Sequence, residues 1–257
     1  MSQKRETKVN SPTTTLQVTS VSAKAITCLL TGFDAFGKNM VNPTELLVEA
    51  FPDLLVTKPS GTSRRVKEIH IEKRILPTAG IKGWKALKAA LDHAVKSCPG
   101  PLFVVMTGLA NQREWLNLER FAINIKDYGL PDNSGHQPLD KPINKNAPEL
   151  LRTKIDLAAL NSAINKSGYP SVISNHAGTF ICNELYFQAL NYALSQPKIK
   201  SVLFVHVPTA KQFAKSAAKS KKKSIANTAI KATTSSKQTA LLGEAVAEIV
   251  ETACKLI

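Results

Sequence analysis

SNHAGTFICNELY, residues 174–186, holds two secondary-structure signals back to back. A short apolar run at residues 171–174 ends in the small-residue turn Ala177-Gly178-Thr179, and apolar residues then recur at helical spacing to Leu194. A buried strand passing through a tight turn into a helix is the repeating unit of α/β folds. Cys182 falls where that helix begins. Backbone N–H groups at a helix N-terminus have no intrahelical partner and carry partial positive charge, which favours a thiolate. Taken alone, Cys182 reads first as a small buried hydrophobe.

The same alternation extends in both directions. Strands are predicted at residues 25–30 (AITCLL), 67–76, 102–106 (LFVVM), 118–125 and 201–207 (SVLFVHV). Helices are predicted at 42–51, with Asn42 and Pro43 at capping positions, and at 83–97, 153–166, 180–194 and 241–256. The glycine-bounded loop TGFDAFG, residues 31–37, leaves the carboxyl end of the first strand, where open α/β sheets bind ligands. Residues 107–117 read as a loop and 131–135 (PDNSG) as a turn. The expected fold is α/β: a single-domain, three-layer α/β/α sandwich with a twisted, mostly parallel mixed sheet. It spans residues 23–257, after a flexible polar arm at 1–22.

Composition narrows the function classes. No apolar run reaches the roughly 20 residues of a membrane helix, and the basic N-terminus is not followed by an apolar stretch, as a secretory signal requires. Cys28, Cys98, Cys182 and Cys254 lie far apart, with neither CxxC nor zinc spacing; reduced thiols in the cytoplasm, with no metal and no cofactor, are expected. The net charge is +15, and eight lysines between residues 207 and 243 (Lys211, Lys215, Lys219, Lys221, Lys222, Lys223, Lys231 and Lys237) meet no Asp or Glu there. Such a run attracts polyanions without sequence preference. It has no arginine and one aromatic, Phe213, so a solvated polar segment is expected and nucleic-acid binding is disfavoured.

Three residues at strand or helix ends make a chemical inventory: Cys182, His206 at the end of LFVHVP, and Glu119 at the start of ERFAIN. A thiol nucleophile needs a base near neutral pH, and the imidazole needs a carboxylate to orient it. Singly, His206 reads as a core histidine and Glu119 as a surface carboxylate; periodicity does not bring them together. His176 is a rival base six residues from the thiol, in a turn that exposes it. Phe33 and Phe36 read either as core or as walls of an apolar slot.

In order and spacing, TGFDAFG with VNP, LERFAIN with PDN and QPLD, SNHAGTFICN, and FVHVP resemble the pyroglutamyl peptidase I (pyrrolidone-carboxylate peptidase) family of cysteine peptidases. The resemblance runs from about residue 25 to 208. It implies removal of N-terminal pyroglutamate from peptides by a Cys182–His206–Glu119 triad through a thioester. It also implies that Phe33 and Phe36 sandwich the lactam ring, that Leu130 and Ile181 complete the wall, and that Asn42 and the backbone near Leu109 address ring polar groups or hold the loop. Relatives include tetramers, so a homo-oligomer is implied. The chain departs from the family pattern at Asn111-Gln112, where two glycines are usual, and at Gly129, where an arginine thought to assist the oxyanion is usual. Lys211–Lys237 replaces a shorter, less basic loop. Two alternatives follow: a catalytically weak binder of pyroglutamyl peptides, and a basic protein that binds nucleic acid or acidic partners through residues 211–238.

Overall fold

A computed structural model describes residues 25–37, 41–57, 68–224 and 235–256. The arm expected at residues 1–22, and residues 225–234 of the lysine-rich segment, lie outside the described residues. In chain order the elements are β1 (Ile26–Phe33), α1 (Pro43–Ala50), β2 (Leu54–Val56), β3 (Glu68–Leu76), α2 (Gly80–Ser97), β4 (Leu102–Leu109) and β5 (Leu116–Ile123). Then follow β6 (Leu150–Arg152), α3 (Leu157–Lys166), β7 (Ser171–His176), α4 (Ile181–Ala193), β8 (Ile199–Val207), α5 (Ala210–Ser224) and α6 (Ser235–Lys255).

The strands form one mixed sheet in the order β2-β3-β1-β4-β8-β5-β6, with β7 also paired to β5. The β1–β3, β1–β4, β4–β8 and β5–β7 pairings are parallel; β2–β3, β5–β6 and β5–β8 are antiparallel. Central strands are buried along almost their whole length, which is why AITCLL, LFVVM and SVLFVHV are continuous apolar runs. Two cores lie against the sheet. One joins Leu47, Leu160, Phe213, Leu242 and Ile249, from α1, α3, α5 and α6. The other joins Leu87, Leu91, Leu185 and Phe187, from α2 and α4. This is the expected three-layer architecture.

The differences from the sequence reading have local causes. β1 continues to Phe33 and β4 to Leu109, because Thr31, Gly32 and Phe33 pair with β3 while Thr107, Gly108 and Leu109 pair with β8. The hydroxyl of Thr107 donates to Thr31 O at 2.7 Å, so a polar residue crosses the core without an unpaired donor. β2 and β6 have three residues each, too few to show a period. α2 begins at Gly80 rather than residue 83, because a distant side chain caps it: Gly80 N donates to Asp132 Oδ2 at 2.9 Å. α3 begins at Leu157, capped by Asp156, which accepts from Ala158 N and Ala159 N.

The largest correction concerns the lysine-rich segment. Residues 210–224 are helical, and Phe213 and Ala217, four apart, are fully buried. Phe213 stacks on Tyr169 with ring centroids 6.5 Å apart. An amphipathic helix can thus carry many lysines and still pack through a narrow apolar stripe.

Candidate active site

The site is built where β1, β4, β5 and β8 meet the start of α4. The loop after β1 is tied down first. Asn42 caps α1 by accepting from Thr44 N at 3.0 Å and Thr44 Oγ1 at 2.9 Å, while its amide donates to Asp34 O at 3.0 Å. Asp34 Oδ1 accepts from Thr78 N at 2.7 Å. Gly32 lets strand and helix meet, since a Cβ there would lie 2.5 Å from Thr44 O. Asn133, in the PDN turn, donates to Ala35 O at 2.7 Å. Asn42 therefore holds the loop, one of the two roles the resemblance implies.

Phe33, Phe36, Asn42, Leu109, Leu130 and Ile181 all line one cleft of about 280 Å³, and Cys182 lies on its wall. Val41, Thr78, Asn111 and Phe180 also line it. The volume lies just below the range of drug-sized ligand sites, roughly 300–1,000 Å³, and so suits a small group. Phe36 packs on Phe180 with centroids 5.4 Å apart, and Tyr128 meets Phe180 edge-on at 4.6 Å. Tyr128 is itself fixed by a short hydrogen bond to buried Glu184.

Behind the cleft, His206 Nδ1 and Glu119 Oε1 are 2.7 Å apart, and Arg113 Nη1 donates to the same oxygen at 2.8 Å. Glu119 is fully buried and His206 nearly so. Since the salt-bridged carboxylate accepts, the Nδ1 proton points to Glu119 and Nε2 is left as the basic nitrogen. Asn117 faces His206 across the β5–β8 ladder, and Gly108 faces it across β4–β8. A Cβ on Gly108 would stand 3.0 Å from Cys182 Sγ and 2.7 Å from Phe204 Cζ, so the thiol lies against the strand position beside His206. Phe204 stacks obliquely on the imidazole, with centroids 4.8 Å apart.

Cys182 is the second residue of α4, whose N-cap, Phe180, offers no side-chain acceptor, so the first N–H groups are not capped. The helix end does not prevail over burial. Although one side of the sulfur opens on the cleft, burial pushes the thiol up from 9.0 to about 12, and the Glu119 charge adds to this. The local backbone N–H and Arg113 pull the other way. Burial thus outweighs the pull of the helix end on the thiol and favours its neutral form.

A family model described as pyroglutamyl peptidase matches residues 26–242. Pyrrolidone-carboxylate peptidase 1 of Photorhabdus laumondii is 34% identical over 187 residues, 71% of this chain and 78% of that protein. The pyrrolidone-carboxylate peptidase of Yersinia pestis is 33% identical over 182 residues, 70% of this chain and 77% of its own. The chain belongs to the pyroglutamyl peptidase family. Among solved structures, pyroglutamyl peptidase I of Bacillus amyloliquefaciens is similar with a TM-score of 0.66 at 26% identity, covering 89% of this chain and 97% of that one. The pyrrolidone carboxyl peptidase of Thermococcus litoralis shares the fold, with a TM-score of 0.68 at 24% identity over 89% of this chain and 93% of that one.

Within this pyroglutamyl peptidase fold, two polar side chains matter that sequence reasoning did not single out. Arg113 is the second partner of Glu119. Asn183, fully buried beside the cysteine, accepts from Ile123 N at 2.9 Å and donates to Ile123 O at 2.9 Å and Ile125 O at 3.1 Å. It clamps the start of α4 to the far end of the strand that carries Glu119. Asn183 closes the SNHAGTFICN motif and Arg113 follows the departure at Asn111-Gln112, but their partners are set by the fold. His176 is exposed and accepts from Gly178 N, two residues on. Among the described residues no group of three or more His, Cys, Asp or Glu could hold a metal ion, and no helix is long and apolar enough to cross a membrane.

Proposed function

We propose that this chain is a cysteine exopeptidase that removes N-terminal pyroglutamate from peptides, with Cys182 as nucleophile, His206 as base and Glu119 as its orienting carboxylate. The observation that carries the reading is the buried Glu119–His206 pair set behind a thiol on the wall of a small aromatic cleft. The cleft suits an uncharged lactam, since an N-terminal amine would need a carboxylate partner. Phe33, Phe36, Leu130 and Ile181 enclose the ring in this reading, with Leu109 and the Asn42-held loop at its edge.

The steps follow from the groups present. As Cys182 Sγ attacks the pyroglutamyl carbonyl carbon, its proton passes to His206 Nε2, so the thiolate exists only in the act of attack. Charge developing on the carbonyl oxygen is met by N–H groups at the start of α4. His206 returns the proton to the departing α-amine as the C–N bond breaks, leaving a thioester. Water, deprotonated by the same nitrogen, then breaks the C–S bond and releases pyroglutamate. Glu119 holds the imidazole through Nδ1, and Arg113 balances the carboxylate's charge.

Gly129 supports a second, weaker reading: a relative that binds the ring but turns over slowly, because no side chain stands where the family carries arginine. Release of coumarin from a pyroglutamyl-coumarin amide, beside the Cys182→Ser variant, decides between them. Wild-type release at least about 10³-fold above the variant supports the peptidase; no difference sinks it. The proposal includes a cytoplasmic location, consistent with cysteines that keep their thiols, and a homo-oligomer, which sedimentation velocity checks.

A further inference from the structure

We propose that the exposed lysine stripe of α5 selects pyroglutamyl peptides that carry acidic residues a few positions beyond the pyroglutamate. The inference rests on the reading of the cleft given above and adds a substrate class to it.

The stripe starts at the rim of the cleft. α5 begins at Ala210, four residues after His206. Its Gln212 accepts from Thr209 N at 3.1 Å and Thr209 Oγ1 at 2.6 Å, and donates to Asn111 O at 2.8 Å. Asn111 lines the cleft. The first turn of the helix is thus fastened to a loop that lines the cleft, and a peptide leaving the cleft on this side meets the stripe.

The helix sorts its residues sharply. Phe213, Ser216 and Ala217 are buried, while Lys211, Lys215 and Lys219 are exposed. Spaced four apart, these three lie along one face for ~12 Å, at 1.5 Å per residue. Like charges at this spacing disfavour a helix. Two lysines of other helices do have an acidic partner four residues away: Lys88–Asp92 at 2.7 Å and Lys255–Glu251 at 4.0 Å. None of the three α5 lysines forms an ion pair with a described carboxylate, and residues 207–243 contain no Asp or Glu. Near the rim, Glu119 is held by Arg113 and His206, and Glu114 is exposed on the same loop as Asn111.

An extended peptide advances ~3.3 Å per residue, so about four residues past the rim span the stripe. Carboxylates there complement the lysines, and the field of the row raises the encounter rate of acidic peptides in a salt-sensitive way. A nucleic-acid strand is a poorer match: the aromatic of this helix, Phe213, is in the core, and α5 has no arginine.

The test compares kcat/KM, read as released pyroglutamate, for pGlu-Ala-Glu-Glu-Glu, pGlu-Ala-Gln-Gln-Gln and pGlu-Ala-Lys-Lys-Lys, with the pyroglutamyl-coumarin amide as a substrate that does not reach the stripe. Wild type and the triple variant Lys211→Gln, Lys215→Gln, Lys219→Gln are assayed at about 0.02 M and about 0.5 M salt. The expected result is a preference of roughly fivefold for the acidic over the neutral peptide at low salt. It disappears at high salt and in the variant, while amide cleavage is unchanged. Equal treatment of the three peptides by an enzyme that cleaves the amide overturns this inference alone, as does a preference that survives in the variant. A wild type that leaves the amide intact removes the pyroglutamyl reading and the inference together.

Discussion

The back of the cleft and its rim follow different construction rules. At the back, Glu119 is 0% exposed and held by two partners, His206 is 6% exposed, and Asn183 saturates three backbone groups. At the rim, Leu130 is 51% and Val41 50% exposed, and a Cβ on Gly129 would meet nothing within 4 Å. The contacts of Glu119 Oε1 and of Asn183 are in place before substrate arrives, as preorganised charge stabilisation requires, while Glu119 Oε2 is buried without a hydrogen-bond partner among the described residues. The rim has apolar surface still to bury, so its contribution comes with binding. Changes at the back should therefore lower kcat and stability together, whereas changes at the rim should move KM with stability left in place.

The strongest break is Glu119→Gln. The amide keeps the shape but turns the imidazole and leaves Arg113 without a counter-charge, so kcat should fall roughly 10³-fold, with a loss of ~3 kcal/mol in denaturant unfolding. Unchanged kcat would mean that His206 is not the working base. A similar range is expected in thiol chemistry. With the thiol raised from 9.0 to about 12, its thiolate fraction at neutral pH is about three powers of ten below that of an unperturbed cysteine. The folded state prefers the protonated form, so this contribution to stability is present below pH 9 and fades as pH rises toward 12. Alkylation of Cys182 by iodoacetamide should climb steadily into the alkaline range; a plateau reached near neutral pH would refute the neutral resting thiol. Gly108→Ala comes next. Its methyl would press on Phe204 and on the sulfur, lowering kcat/KM roughly 10²-fold and stability by ~1–3 kcal/mol. An unaltered variant would show that the sulfur yields freely.

The two regions were also unequally legible. Strands and helices were readable wherever a buried run or a 3.6-residue period persisted, as in β8 and α2. Cys182, Glu119 and His206 could be named as types with suitable chemistry, and the fold brings Glu119 and His206, 87 residues apart, to 2.7 Å. Their surroundings could not be read from periodicity. Asp132 caps a helix 52 residues away, and Asn183 clamps a strand 60 residues away. Arg113 pairs with a group that itself looked like surface in the sequence. α5 was hidden by its own charge, since the spacing of Phe213 and Ala217 is obscured by lysines that mark a solvated segment in composition alone.

The rim offers smaller effects that sharpen the contrast. Phe36→Ala removes the ring that faces Phe180 and should raise KM roughly tenfold with kcat nearly constant; a kcat loss as large as that of Gly108→Ala would erase the distinction between the regions. The smallest change expected is a gain. Gly129 has an ordinary backbone and open space around its Cβ position, so Gly129→Arg should fold without strain. It restores the side chain that the family pattern carries there, just before Leu130 on the cleft wall. If the rim is open because a cation is missing, kcat on the coumarin amide should rise about threefold, with the melting temperature unchanged. If Glu119, His206 and Arg113 at the back and the start of α4 already supply all the charge stabilisation, kcat should not move, and turnover would be set entirely by contacts in place before substrate binds.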